Sequence, residues 1–165
     1  MKNCIITGGN SGIGFQAAMQ IAKKGYHVTL LCRNETSSAN ACKQIQEETG
    51  NIHVDYLIAD LSLMWQVKKA VANYLEKYDT LDVLINNAAD FDLSVKKPIL
   101  TEEGLEKQFA TNVVAPFLLS TLLLEGLKRS DDGRIINISS QGLCELDHLD
   151  GVLYIDKAVS VQLEK

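Results

Sequence analysis

Residues 7–14 read Thr7-Gly8-Gly9-Asn10-Ser11-Gly12-Ile13-Gly14, between a short apolar run (Cys4, Ile5, Ile6) and an amphipathic stretch (Phe15, Ala18, Met19, Ile21, Ala22). Lacking side chains, Gly8, Gly12 and Gly14 let the backbone turn sharply, approach a pyrophosphate closely and pack the following helix against the strand. Free N–H groups and the positive dipole end of that helix then face the anion. Strand, turn and helix follow in the order a nucleotide site requires. The spacing departs from G-x-G-x-x-G, with three residues between Gly8 and Gly12 and one between Gly12 and Gly14.

Outward from this turn, apolar runs of strand length recur at Cys4–Ile6, His27–Cys32, His53–Ile58, Leu81–Ile85 and Arg134–Ile138. Between them, apolar residues follow helical spacing over Gly12–Lys24, Ser37–Thr49, Leu63–Tyr78 and Thr101–Arg129. This alternation predicts an α/β fold, a doubly wound parallel sheet covered on both faces. Right-handed crossovers give the strand order 3-2-1-4-5 and a crevice at the carboxyl ends of strands 1 and 4, the Rossmann-type nucleotide-binding topology. Residues 1–165 are expected to form one such domain, truncated after the fifth strand and the start of the following helix, and incomplete at the C-terminus.

The bulk properties narrow the classes of function. A 165-residue chain with 46% hydrophobic residues can bury a core as a single domain. A net charge of −5, with Lys and Arg dispersed, argues against a nucleic-acid surface. Cys4, Cys32, Cys42 and Cys144 are far apart and form no C-x-x-C pair, which fits reduced thiols and a cytoplasmic protein. Met1-Lys2-Asn3 runs straight into the first strand, so no secretory signal is expected. The most apolar stretch, Val113–Leu124, is too short to cross a bilayer and reads as a core or interface helix. His27, His53 and His148 lack metal-ligand spacing, and no metal is assigned.

Four motifs now stand in order: Thr7–Gly14; Ala59-Asp60-Leu61; Asn86-Asn87-Ala88-Ala89; and Asn137-Ile138-Ser139-Ser140 followed by Tyr154 and Lys157. In this order and spacing, over nearly the whole length, the chain resembles the short-chain dehydrogenase/reductase family of NAD(P) oxidoreductases. Leu30-Leu31-Cys32-Arg33-Asn34 and Leu81–Ala89 resemble its retinol-dehydrogenase-like branch most. The resemblance implies coenzyme contacts at Gly8, Ser11, Gly12, Ile13, Gly14, Asp60, Leu61, Asn87, Ala88 and Lys157. It also implies a small alcohol or carbonyl substrate, with Tyr154 as acid/base, Lys157 lowering the phenol pKa and binding ribose, and Ser140 polarising the substrate oxygen. Asn112, in Phe109-Ala110-Thr111-Asn112, matches the family asparagine that supports a proton-relay water; read alone, it is an ordinary polar helix residue. Asp60 matches a residue that accepts a hydrogen bond from the adenine amino group, and equally reads as a turn or helix-cap aspartate.

Arg33 follows strand 2, where an NAD-type fingerprint has an acidic residue for the ribose 2′-hydroxyl. A guanidinium there binds a 2′-phosphate, favouring NADP over NAD, although a loop arginine paired with Glu35 is the plainer alternative. Three features depart from the family. Ala89 stands where glycine is usual, the chain ends at Lys165, and Tyr154-Ile155-Asp156-Lys157 is one residue shorter than Tyr-x-x-x-Lys. On a helix the i+3 and i+4 positions differ by about 100° in azimuth and about 1.5 Å in rise, and a misplacement near 1 Å can lower a rate around a hundredfold. The leading expectation is an NADP-dependent oxidoreductase. Its rivals are a nucleotide-binding module without turnover and an interaction role, including a homo-oligomer through the 101–129 helix.

Overall fold

The computed structural model describes residues 1–139, apart from positions 93 and 96, together with the backbone of 159–162. Its elements are β1 (Asn3–Thr7), α1 (Gly12–Lys23), β2 (His27–Cys32), α2 (Glu35–Thr49), β3 (Val54–Ile58), α3 (Met64–Leu75) and β4 (Val83–Asn86). They are followed by α4 (Lys107–Phe109), a π-helical turn (Ala110–Val114), α5 (Ala115–Leu122), α6 (Leu124–Lys128), β5 (Arg134–Asn137) and β6 (Val159–Gln162). The sheet order is β3-β2-β1-β4-β5-β6, parallel from β3 to β5 as the alternation predicts. β6 adds a further strand, antiparallel to β5 at the edge.

The sheet is central because its inner strands are buried on both faces. Every residue of β1 and β2 is buried, and side-chain alternation divides them between two cores. On one face Cys4, Ile6, Val28, Leu30, Cys32 and Ile85 pack with Ala18 and Ala22 of α1 and Ala41, Cys42 and Ile45 of α2. On the other, Ile5, Leu31, Leu84 and Ile135 pack with Val67, Ala70, Val71 and Tyr74 of α3 and with Leu119, Leu123 and Leu127 from the α5–α6 region. Each fully buried leucine or isoleucine in these layers contributes about 1.5–3 kcal/mol. Burial pushes the thiols of Cys4 and Cys42 up to about 12, so they behave as small apolar groups.

Local signals mark the ends. Asn34 accepts from the Ser37 N–H at 2.9 Å at the start of α2, and Gly50 closes its end with φ +71°. The helix expected over Thr101–Arg129 is shorter and interrupted. Thr101–Glu106 instead form a tight loop, with Gly104 at φ +76° and a bridge between Leu100 and Glu106. The interruption has a cause in Pro116: it has no N–H for the Asn112 carbonyl, and in an α-helix its ring would collide with that carbonyl. The chain widens one turn earlier, and Ala115 N–H bonds Ala110 O, five residues back. Among the described residues, no helix is long and apolar enough to cross a membrane.

Candidate functional site

The carboxyl ends of β1 and β4, where the strand order reverses, open onto a cleft of about 670 Å³. Its floor is the glycine turn. Gly8, at φ +65°, donates its N–H to Leu31 O at 2.9 Å, and a Cβ there would lie 3.2 Å from Ala88. A Cβ on Gly14 would come within 2.4 Å of both Gly8 O and Asn87 Nδ2, so α1 approaches the turn as closely as only glycine permits. Gly12 is different: φ is +55° and its surroundings are open, so it serves the turn and not the packing. Ser11 precedes α1 with extended backbone, and its side chain does not cap the helix. Ser11, Ile13 and Gly14 line the cleft, leaving the helix start to present its backbone donors there.

Thr7 ties this floor to the exit of β4. Its buried hydroxyl oxygen accepts from the N–H groups of Asn87 and Ala88, both at 2.9 Å. Asn87 Nδ2 returns to Thr7 O at 2.9 Å. Asn87 therefore lines the cleft while its amide fastens one loop to another. Behind it, Asn86 Nδ2 donates to Asn137 Oδ1 at 2.8 Å, joining β4 to β5.

The β2 side of the cleft carries Arg33, exposed on the rim beside Asn34 and Ser37. Asn10 Nδ2 donates to Ser37 Oγ at 2.9 Å, which fastens the glycine turn to the first turn of α2. Cys32 lies beneath: burial pushes its thiol up, while hydrogen bonds with the Ser38 side chain and the backbone of Asn10, Gly9 and Gly8 act in the opposite direction. Asp60 is a turn aspartate that borders the cleft. Its Oδ1 accepts from Ser62 N–H at 2.9 Å and Ser62 Oγ at 2.8 Å, an Asx turn ahead of α3, and the residue lines the cleft with Leu61.

Asn112 sits in the π-helical turn and grips the backbone of Asp90 at both ends. Its Oδ1 accepts from Asp90 N–H at 2.7 Å, and its Nδ2 donates to Asp90 O at 2.8 Å. It is thus a clasp between the helix and the β4 exit loop, a more specific placement than an ordinary polar helix residue. Lys107 and Thr111, one turn apart, complete this wall, and Lys107 Nζ stands 2.9 Å from Asp90 Oδ2.

The cleft thus gathers Gly8, Ser11, Ile13, Gly14, Arg33, Asp60, Leu61, Asn87 and Ala88, with Gly12 shaping the turn. Ser140, Tyr154 and Lys157 lie outside the described residues. Sequence reading missed Thr7, Asn10, Ser37 and Lys107 as contributors. Thr7 stood inside the quoted motif, but its partners are about 80 positions away and leave no local signal. Among the described residues no cluster of His, Cys, Asp and Glu could hold a metal ion.

The short chain dehydrogenase family model matches residues 2–146. Dehydrogenase/reductase SDR family member 12 of Bos taurus is 45% identical over 139 residues, covering 84% of this chain and 43% of the relative. Retinol dehydrogenase 13 of Homo sapiens is 38% identical over 156 residues, covering 94% of this chain and 44% of the relative. The chain spans less than half the length of these two relatives. A short chain dehydrogenase from Escherichia coli CFT073, solved in complex with NADPH, matches with a TM-score of 0.70 at 29% identity, over 86% of this chain and 61% of that one.

Proposed function

We propose, because the chain belongs to the short-chain dehydrogenase/reductase family and carries a glycine-floored cleft at its switch point, that it binds NADP and serves an oxidoreductase acting on an alcohol or carbonyl group. The observation that carries this is the cradle itself: Gly8 and Gly14, where a Cβ would collide with Ala88, Asn87 or the Gly8 carbonyl, let the glycine turn and the β4 exit loop close up beside a helix start with no side-chain cap, a shape suited to a diphosphate. When bound, the coenzyme supplies hydride transfer. In this reading the α1 N-terminus holds the diphosphate, Asp60 and Leu61 border the adenine, and Asn112 and Asn87 keep the β4 exit loop in place beside it. By the family resemblance, Ser140 orients the substrate oxygen, Tyr154 exchanges a proton at its phenolic oxygen, and Lys157 lowers the phenol pKa.

Arg33 on the cleft rim supports NADP over NAD, since a guanidinium bonds a 2′-phosphate that a carboxylate would repel. Arg33→Asp is expected to weaken NADPH by about tenfold or more, a loss on the scale of one charge-assisted hydrogen bond, while NADH is held or gains. Paired titrations of both coenzymes check it, and an unchanged ratio of affinities removes the NADP assignment. The short Tyr154–Lys157 spacing favours a second reading, a nucleotide-binding module without turnover. Oxidation of NADPH followed by absorbance across a panel of aldehydes and ketones, beside a direct binding titration, separates the two. Binding with no turnover selects the second.

The proposal extends to a homo-oligomer through the 101–129 region. Phe109, Val113 and Phe117 recur every fourth residue and stand 52%, 51% and 70% exposed. Sedimentation equilibrium is expected to show self-association that Phe117→Glu disrupts; a strictly monomeric native chain ends the idea.

A further inference from the structure

We infer that Lys107 is a positioning residue for the anionic coenzyme, because its ammonium cancels the carboxylate that Asp90 places on the cleft wall. The inference rests on the nucleotide reading above and deepens it. Four charged side chains line the cleft, Arg33 and Lys107 against Asp60 and Asp90. Removing Lys107 leaves the lining with a net negative charge, facing a ligand whose phosphates are themselves negative.

Both members of the pair are set in place by groups other than each other. Asp90 is held at its backbone N–H and C=O by the amide of Asn112. Lys107 N–H donates to Ile99 O at 2.8 Å, and the turn it begins is capped by Glu106, whose carboxylate accepts from Gln108 N–H at 3.0 Å and Phe109 N–H at 2.7 Å. Thr111 Oγ1 returns to Lys107 O at 2.8 Å. Loss of the ion pair therefore leaves the wall standing and changes its charge. The pair is also partly sheltered, the side chains being 34% and 23% exposed, so solvent and salt screen it less than a pair on the open surface.

This charge role makes a prediction that a purely structural strut does not. If the pair only braces the loop, breaking it from either side has the same effect. If Lys107 works by neutralising Asp90, the two single changes diverge and the double change reverts. The experiment is fluorescence titration of the full chain with NADPH at low salt, using the native protein, Lys107→Met, Asp90→Asn and the double variant, with Lys107→Arg as the conservative control and thermal unfolding to confirm folding.

Lys107→Met is expected to weaken NADPH binding about five- to tenfold, the size of one uncompensated charge near a partly solvated anion. Asp90→Asn is expected not to weaken it, the double variant to return to within about twofold of native, and Lys107→Arg to bind as native does, since either cation balances the carboxylate. The Lys107→Met deficit is expected to shrink as salt rises. Equal weakening by both single variants, no recovery in the double variant, or a deficit independent of salt overturns the inference. Should Lys107→Met fail to fold, Lys107→Gln carries the same comparison. Failure of the native chain to bind NADPH overturns the nucleotide reading and this inference together; native binding with an unaffected Lys107→Met overturns this inference alone.

Discussion

Gly14→Ala is expected to destabilise the chain by about 3 kcal/mol and to weaken NADPH binding by more than about tenfold. The added methyl would lie 2.4 Å from Gly8 O and from Asn87 Nδ2. Backbone oxygen cannot swing aside as the tip of a long side chain can. Either α1 withdraws from the turn or the turn itself shifts, and both movements change the place where a diphosphate would meet the helix start. Gly12→Ala serves as the contrast: its Cβ meets nothing within 4 Å, so only the positive φ of +55° opposes it. The expected penalty there is about 1 kcal/mol, typical of a non-glycine residue in the left-handed region. Denaturant unfolding and coenzyme titration of the two variants provide the check. A Gly14→Ala protein as stable as native, with native affinity, would show that the close approach of helix and turn is not what the glycine is for.

The second large effect is expected at Thr7. Thr7→Val keeps the shape and removes the hydroxyl oxygen that accepts from Asn87 and Ala88. Thr7 is only 2% exposed, so water cannot readily replace it. Leaving two backbone donors unpaired costs about 2–4 kcal/mol, and the β4 exit loop is freed from the glycine turn, so coenzyme affinity falls as well. Thr7→Ser restores the oxygen and is expected to recover most of both losses, with only the missing methyl to distinguish it from native. Equal behaviour of the valine and serine variants in thermal unfolding would refute the role of the hydroxyl.

How much of this was legible depends on how local the cause is. The strand order from β3 to β5 follows from repeated apolar runs separated by helical spacing, because burial on two faces imprints itself on every residue of Val28–Cys32. The glycine turn was legible for the same reason: backbone conformation is a property of the residue that adopts it, as Gly8 and Gly12 demonstrate. The helix expected over 101–129 was misread at its start and continuity. Its apolar pattern runs on through residues that the chain uses for a Gly104 turn and for a π-helical widening forced by Pro116. Asp60 could be read as an adenine acceptor or as a turn aspartate; the turn is what the structure shows, and it stands at the cleft border.

The amino-acid sequence alone determined the layered α/β architecture, the location of the crevice and the glycine turn that floors it, since periodicity and glycine placement act over a few neighbouring positions. Only the tertiary structure decided which polar groups in that crevice are free and which are engaged. Thr7 with Asn87, Asn10 with Ser37, Asn112 with Asp90, and Asp90 with Lys107 meet across separations of 17 to 80 residues. A hydrogen bond or ion pair depends on two directions in space meeting within about 3 Å, and no local pattern in a chain records where its distant parts will arrive.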